Sequence, residues 1–227
     1  MTHTLKWLAI SITAAFALVA IAAPLASAAK FKTEEPPTAL TADPMTPLVF
    51  EPTPDGEKKV TCQGLAATGT MEGKESEALT IVPTFSKCKI KIGAEEKDAL
   101  VTMNGCDFNY TSPTAKTENT AGEHAKLHII CPAGKEIEIE VGPLGTKCID
   151  IPGQTMEGIH YENTLNNGIF DVDAKATVHN LKTTTTHTAA CPTKSGLTET
   201  HETGRFTGEI TLKGDNAAKE PKSLRYE

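Results

Sequence analysis

The sequence predicts an antiparallel all-β domain from about Val60 to Lys213. Its expected form is a two-sheet sandwich of the immunoglobulin-like or jelly-roll type, stapled by disulfides, with a closed β-barrel as runner-up. Three observations predict it. Apolar and polar residues alternate with period two, and no segment beyond residue 28 carries a helical stripe. Beyond residue 28 there are thirty Thr against five Ser, a bias toward a β-branched, strand-favouring residue. Turn-forming pairs also fall where the flanking alternation matches across them.

In chain order, residues 1–28 read as a secretory signal. Lys6 supplies the positive start, and Trp7 to Ala23 is apolar apart from Ser11 and Thr13. Pro24 interrupts the segment, and Ala26-Ser27-Ala28 has the small-x-small pattern of a cleavage site, placing cleavage after Ala28. An uncleaved anchor is the competing reading, although seventeen residues are at the short limit of a membrane span. Residues 29–59 read as a Pro/Thr-rich linker. Six prolines (Pro36, Pro37, Pro44, Pro47, Pro52 and Pro54) remove ladder donors, with Leu48-Val49-Phe50 as a possible edge strand. Residues 214–227 lack periodicity and read as a flexible tail.

Within 60–213, Asn104-Gly105 suits a two-residue hairpin turn. It would set Met103 opposite Cys106, Val101 opposite Phe108 and Ala99 opposite Tyr110. Asn167-Gly168 would set Leu165 opposite Phe170, Asn163 opposite Val172, Tyr161 opposite Ala174, and Ile159 opposite Ala176. Pro132-Ala133-Gly134 suits a three-residue loop pairing Ile129 with Ile137, Leu127 with Ile139, and Ala125 with Val141. Alternation alone marks two more strands, one with Cys88, Ile90 and Ile92 inward and one with Phe206, Gly208, Ile210 and Leu212 inward. Thr183–Thr186 reads as a solvent-edged strand.

All six cysteines lie beyond the signal, an even count that reads as disulfides in an oxidising compartment. No two are closer than sixteen positions, so the C-x-x-C pairs of zinc and redox sites are absent. Fifteen pairings exist in principle. Cys106 and Cys131 sit at the same end of neighbouring strands and are expected to pair. Cys62–Cys88 and Cys148–Cys191 follow by proximity among those that remain.

The formal charge is −7, and −8 without residues 1–28, which carry one base and no acid. An acidic chain without a basic cluster lacks the footprint of a nucleic-acid binder. No apolar stretch after the signal is long enough to span a membrane. His124 and His128 have helical metal spacing, but on a strand they stand roughly 13 Å apart. Asp171-x-Asp173 lacks the rest of a calcium loop and is expected on a solvated outer face beside Lys175. Ser86-x-x-Lys89 lies in a strand pattern, without the helix or the companion motifs that this spacing needs in penicillin-binding enzymes. Ser195-Gly196 lacks a nucleophile elbow. Glu95-Glu96 lies in a turn, and no glycine-rich phosphate loop occurs. Hence no catalytic, metal-ligating or cofactor-binding residue is assigned, and no cofactor is expected. Asn109-Tyr110-Thr111 is a glycosylation sequon with an outward Asn109, meaningful in a eukaryotic source.

Four motifs carry a resemblance: Asn104-Gly105-Cys106, Cys131-Pro132-Ala133-Gly134, Ile151-Pro152-Gly153-Gln154 and Gly204-x-Phe206-x-Gly208. With them the chain resembles exported actinobacterial six-cysteine β proteins of unknown function, numerous in lineages related to Solirubrobacter, over most of 58–214. The resemblance implies export and a cysteine-stapled β domain, brings no catalytic residue, and argues against glycosylation at Asn109. The functional expectation is a non-catalytic secreted or cell-surface domain with a binding or structural role and an extracellular or envelope partner. Loops 111–122 and 192–203 at one end are the expected binding elements. The alternatives are an exported hydrolase assembled from scattered His, Asp and Glu, or an inhibitor-like module with a cysteine-bridged loop.

Overall fold

The structure is a computed structural model that describes residues 29–53, 56–112 and 125–227. The signal segment, His124 and residues 113–122 of the first expected binding loop lie outside the described residues. Those described form strands and turns, with no helix among them. The strands are β1 (Phe31–Thr33), β2 (Thr38–Pro44), β3 (Leu48–Glu51), β4 (Lys58–Met71), β5 (Glu75–Ser76), β6 (Ala78–Ile92), β7 (Glu95–Thr102) and β8 (Asp107–Thr111). They continue as β9 (Ala125–Ile130), β10 (Ile137–Val141), β11 (Thr146–Ile151), β12 (Gln154–Asn166), β13 (Ile169–Thr185), β14 (Glu199–Asp215), β15 (Pro221–Lys222) and β16 (Leu224–Tyr226).

The pairings resolve into eight long staves in simple chain order. Four staves, β4, β6, β13 and β14, are unbroken, and four are each interrupted once: β2/β3, β7/β8, β9/β10 and β11/β12. Thus β7 runs along the 88–92 half of β6, and β8 continues in the same direction along its 78–81 half. In the same way β9 and β10 follow β8 and β7, and β12 and β11 lie against successive stretches of β13. The last stave, β14, pairs with the first through both β2 and β3, and β2 and β3 also pair with β4. Hydrogen bonding is therefore continuous around the core. The antiparallel, disulfide-stapled β architecture is as expected, and its ring closure is the feature of the barrel alternative. An eight-stave ring leaves an interior that side chains can fill.

This ring explains where the local expectations fail. Asn167-Gly168 closes the expected hairpin, with all four cross-strand pairs as read. Asn104-Gly105 and Pro132-Ala133-Gly134 do form tight turns, through Cys106 N–H to Met103 O and Lys135 N–H to Pro132 O. They are jogs inside staves, not hairpin ends. Val101 faces Ile139, Phe108 faces Ile129, and β9 never pairs with β10. The two jogs sit against each other: Asn104 Nδ2 donates to Glu136 O at 3.0 Å, and Cys106 bonds to Cys131. The inward assignments survive, because a jog that keeps the pleat in phase leaves Val101, Cys106, Phe108 and Tyr110 buried.

Residues 29–59 are no linker, for Thr38, Leu40, Ala42, Leu48 and Phe50 alternate into the core. The prolines punctuate strand ends instead of dissolving them, and β3 is paired on both sides rather than at an edge. Nor are residues 214–227 a loose tail: β16 pairs with β1, and β15 with β14. Thr183 and Thr185 face inward and are buried, unlike the solvent edge that the Thr run suggested.

Every unbroken stave changes its inward phase by a three-residue step, on β14 between His201 and Gly204. Cys62 is followed inward by Leu65, Phe85 by Cys88, and Val178 by Leu181. Lys87 and Asn180 take left-handed backbone there, with φ of 52° and 62°. Phe50, Phe85, Phe108 and Phe206 fill this waist, with ring centroids 4.7–6.1 Å apart along the chain of contacts. Cys62–Cys88 bridges directly opposite residues of β4 and β6 with Cα atoms 3.9 Å apart. Cys106–Cys131 spans 4.1 Å and Cys148–Cys191 5.5 Å. These are the three pairs that hairpin ends and proximity favoured. Gly158 sits beside the waist at φ 98°, where a Cβ would meet the carbonyl oxygen of Thr177.

The end bearing β1, β5 and β16, here the upper end, is plugged. Phe31, Tyr161 and Tyr226 pack ring on ring at 4.8–5.4 Å. Burial pushes the Tyr110 and Tyr161 hydroxyls well above their ordinary pKa and Tyr226 up to about 12. Asn163 holds the plug like a further strand residue: its Nδ2 donates to Tyr226 O, and its Oδ1 accepts from Tyr226 N–H, both at 2.8 Å.

Two outcomes follow from this packing. Gly158→Ala is expected to lower the urea midpoint by an amount worth about 1–3 kcal/mol without changing the slope. An unshifted midpoint would show that the strand relaxes around a Cβ. Asn163→Leu is expected to speed amide exchange at Leu224–Tyr226 while leaving β4 and β6 protected. Unchanged exchange at residues 224–226 would remove the amide from the clasp.

Candidate functional site

The opposite, lower end carries the turns at 93–94 and 142–145 and the loop 186–198. Here the inward positions change character. Above them the core is Val60, Ile90, Ile137, Ile139, Ile149 and Ile151. At the mouth the same phase brings in Lys58, Thr183, Thr185, Glu199 and His201. Thr183 lies opposite His201, and Thr185 opposite Glu199, on adjacent β13 and β14. Lys58 opens β4, in phase with Val60 and Cys62, and is only 3% exposed. Thr183 Oγ1 donates to Pro52 O at 3.2 Å, tying the backbone just after β3 to β13.

The loop 186–198 covers this end and is built by its own hydrogen bonds. Cys148–Cys191 anchors it to β11, and Thr186 N–H donates to Cys148 O. Thr188 Oγ1 accepts from Cys191 N–H, His187 Nδ1 accepts from Thr193 N–H at 3.0 Å, and Thr193 Oγ1 donates to Leu197 O. Between this loop and the Gly93 turn lies a cleft of about 290 Å³, lined by Glu57, Lys58, Ile92, Gly93, Pro192, Thr193 and Lys194. Lys194 bridges its rim to Glu57 at 3.1 Å.

Ser195, Glu199 and His201 form the densest set of reactive side chains here. Ser195 N–H donates to Glu199 Oε1 at 3.0 Å, and His201 Nε2 stands 3.6 Å from Glu199 Oε2. Hydrogen bonds from the Ser195 side chain and backbone hold the Glu199 carboxyl below its usual range, helped by His201 and Lys58. The order of the three is wrong for nucleophile activation. The carboxylate lies between hydroxyl and imidazole, so His201 has no line to Ser195 Oγ.

Three polar atoms at this end are buried without a hydrogen-bond partner: Thr53 Oγ1, Thr185 Oγ1 and His201 Nε2. Buried hydroxyls and imidazoles normally find partners, so the mouth holds unmet hydrogen-bonding capacity.

The other residues weighed from sequence are dispersed. His160 meets Glu162 at 3.4 Å on an open strand, and His128 bonds Thr155 at 2.8 Å. His179 is exposed in a shallow waist groove of about 580 Å³ beside Glu157 and Asn180, and His187 is exposed on its loop. Asp171 and Asp173 face outward as expected but are not solvated, each being 8% exposed. Thr164 and Thr211 donate to Asp173, and Asn166 donates to Asp171. No group of three metal-ligating side chains occurs among the described residues. Thr111, where the first expected binding loop begins, sits at the upper end, and Glu199, within the second, at the lower.

No helix among the described residues is long and apolar enough to cross a membrane. The barrel exterior carries Lys89, Lys91, Lys126, Glu157 and Lys175, while its interior is apolar. That is the reverse of a membrane-spanning barrel. No family model matches this chain, and no curated protein or solved structure is significantly similar to it.

Lys58, Thr53, Thr183, Thr185, Glu199 and His201 were not singled out from the sequence. A signal for some of them exists. Lys58-x-Val60-x-Cys62 and Leu181-x-Thr183-x-Thr185 place polar residues at positions that alternation assigns to the interior, whereas Glu199 and His201 turn inward through a register shift that the sequence does not show.

The depressed Glu199 carboxyl contributes stability that is present above its unfolded pKa and lost as pH falls through the folded value. Relative to Glu199→Gln, the native protein is expected to have the higher urea midpoint near neutral pH. The difference should vanish well below the ordinary carboxylate range. A difference that persists in acid would assign the effect to packing.

Proposed function

We propose that this chain is a non-catalytic exported domain, secreted or held at the cell surface, that binds through the lower mouth of its barrel. The observation that carries the reading is the pairing of all six cysteines into three bridges with no free thiol. Such bridges persist in oxidising compartments. Each closes a loop of 25 to 43 residues and contributes on the order of 2–4 kcal/mol. The apolar segment ending in Ala26-Ser27-Ala28 and the resemblance to exported six-cysteine proteins support the same reading. Binding is supported by three buried polar atoms without hydrogen-bond partners at the lower mouth, Thr53 Oγ1, Thr185 Oγ1 and His201 Nε2, beside a loop that a disulfide anchors; Arg225 Nε and Tyr226 OH are likewise unpartnered at the upper end. The set Ser195–Glu199–His201 has the wrong order for hydrolysis, which favours recognition over turnover.

Expression of the full chain in a host with a secretory pathway tests this. The expected product is outside the cytoplasm, begins at Ala29, and resists thiol alkylation until reduced. Full-length protein inside the cell with six reactive thiols would overturn the reading.

A further inference from the structure

We propose that the lower mouth is a binding site for a small oxyanion, a carboxylate or phosphate group of a free small molecule, with Lys58 as its charged anchor. The inference deepens the binding reading above and rests on it. Four observations bring it about. Lys58 lines the cleft between the Gly93 turn and Pro192–Lys194, yet is almost wholly buried. The hydroxyls of Thr53 and Thr185 are buried without partners, and so is His201 Nε2. Thr185 faces Glu199 across the β13–β14 ladder, and Lys58 lies within electrostatic reach of Glu199. The cleft, at about 290 Å³, is at the small end of ligand sites and suits a compact molecule.

The class of ligand follows from a donor–acceptor balance. The acceptors of this end are already engaged: Glu199 by the backbone and side chain of Ser195, and Pro52 O by Thr183. What is left is an ammonium and two hydroxyls, with an imidazole nitrogen that stands 3.6 Å from Glu199 Oε2, beyond hydrogen-bond distance. Each of these groups can donate, and the ammonium can do nothing else. A group with several acceptor oxygens and a negative charge suits this set of donors, of which Lys58 is the one that lines the cleft. Hydrogen bonds from an ammonium to a carboxylate or phosphate are also stronger than those between neutral partners. The Glu199 carboxylate already accepts from Ser195 N–H and stands beside His201. A cation would leave Lys58 facing a like charge in the same cleft.

The test uses the oxidised full-length mature protein and two probes, inorganic phosphate and acetate, followed by NMR at the Lys58 ε-methylene and His201 ring resonances. Saturable shifts at both positions are expected for at least one probe within the ~10 mM range. Lys58→Met should weaken the affinity about tenfold or more. Thr185→Val keeps the side-chain volume and removes the hydroxyl, so it should weaken binding while leaving the backbone spectrum otherwise unchanged. Phosphate alone shifting the resonances would assign the site to phosphoryl groups, and acetate alone to carboxylates. No saturable shift with either probe, or saturable shifts that survive both substitutions, would overturn the proposal. Either negative result leaves the cellular location and the disulfide state as measured, so it is distinguishable from a failure of the export reading.

Discussion

The pairing of the last long stave with the first, β14 against β2 and β3, is the constraint on which the rest depends. Each of the other seven contacts joins chain neighbours, and those alone would leave a curled, open sheet with two unpaired edges. Open edges expose backbone donors and acceptors and invite association with other chains. Closure satisfies them, and it also fixes which side chains are inside. Once the ring is shut, every alternate residue of eight staves must fill one narrow space. The waist shows the consequence. Four phenylalanines occupy one level, and the surrounding staves adjust with jogs or three-residue steps instead of leaving the ring.

The same closure explains what the sequence revealed and what it hid. Period-two alternation reports the face of a residue, so the buried positions on β6, β8, β9 and β14 were legible without knowing any partner. It does not report which strand lies alongside. Asn167-Gly168 and Asn104-Gly105 are chemically alike, yet one ends a stave and the other kinks one. The difference is non-local. At 104–105 the turn packs beside the one at 132–134, joined by Cys106–Cys131 and by Asn104 to Glu136, and Asn104 also holds the Glu138 carboxyl below its usual range, with Lys147 assisting. A dipeptide cannot encode a neighbour that lies about thirty residues away. The disulfide partners were nonetheless deducible, because a jog and a hairpin both bring 106 and 131 to one level. The prolines of 36–54 misled for a related reason. A proline at the end of a strand and one in a spacer look alike until the ladder on either side is known.

The candidate site was legible in part but not by motif. Catalytic and metal motifs are recognised by spacing along the chain, and none of the lower-mouth residues has such a spacing. Lys58, Thr183 and Thr185 are recognisable as violations, polar residues standing where the pleat demands apolar ones, while Glu199 and His201 join them through a register shift. Lys58, Thr185 and Glu199 lie on three different staves and meet only because the ring brings β4, β13 and β14 round to one mouth. Asp171 and Asp173 are the opposite case. They were visible as a pair, but cross-strand hydroxyl and amide donors bind them on the outer face.

The two ends of the barrel are closed by different chemistry. At the upper end, aromatic rings and an amide clasp close the core, and ring burial outweighs a Tyr226 hydroxyl left without a partner. At the lower end, leaving a buried hydroxyl without a partner costs about 1–3 kcal/mol, and Thr185 does so at 0% exposure. Valine has almost the same shape and would remove that cost, and the neighbouring core is full of Val and Ile. Lys58 adds a second departure, a charge placed where the adjacent positions are apolar. A fold selected for stability alone would have continued the isoleucine pattern to the rim. Local departures of this kind concentrate where a protein meets its ligand. At the lower mouth the unfavourable chemistry and a cleft coincide, and on that coincidence the proposed binding reading rests.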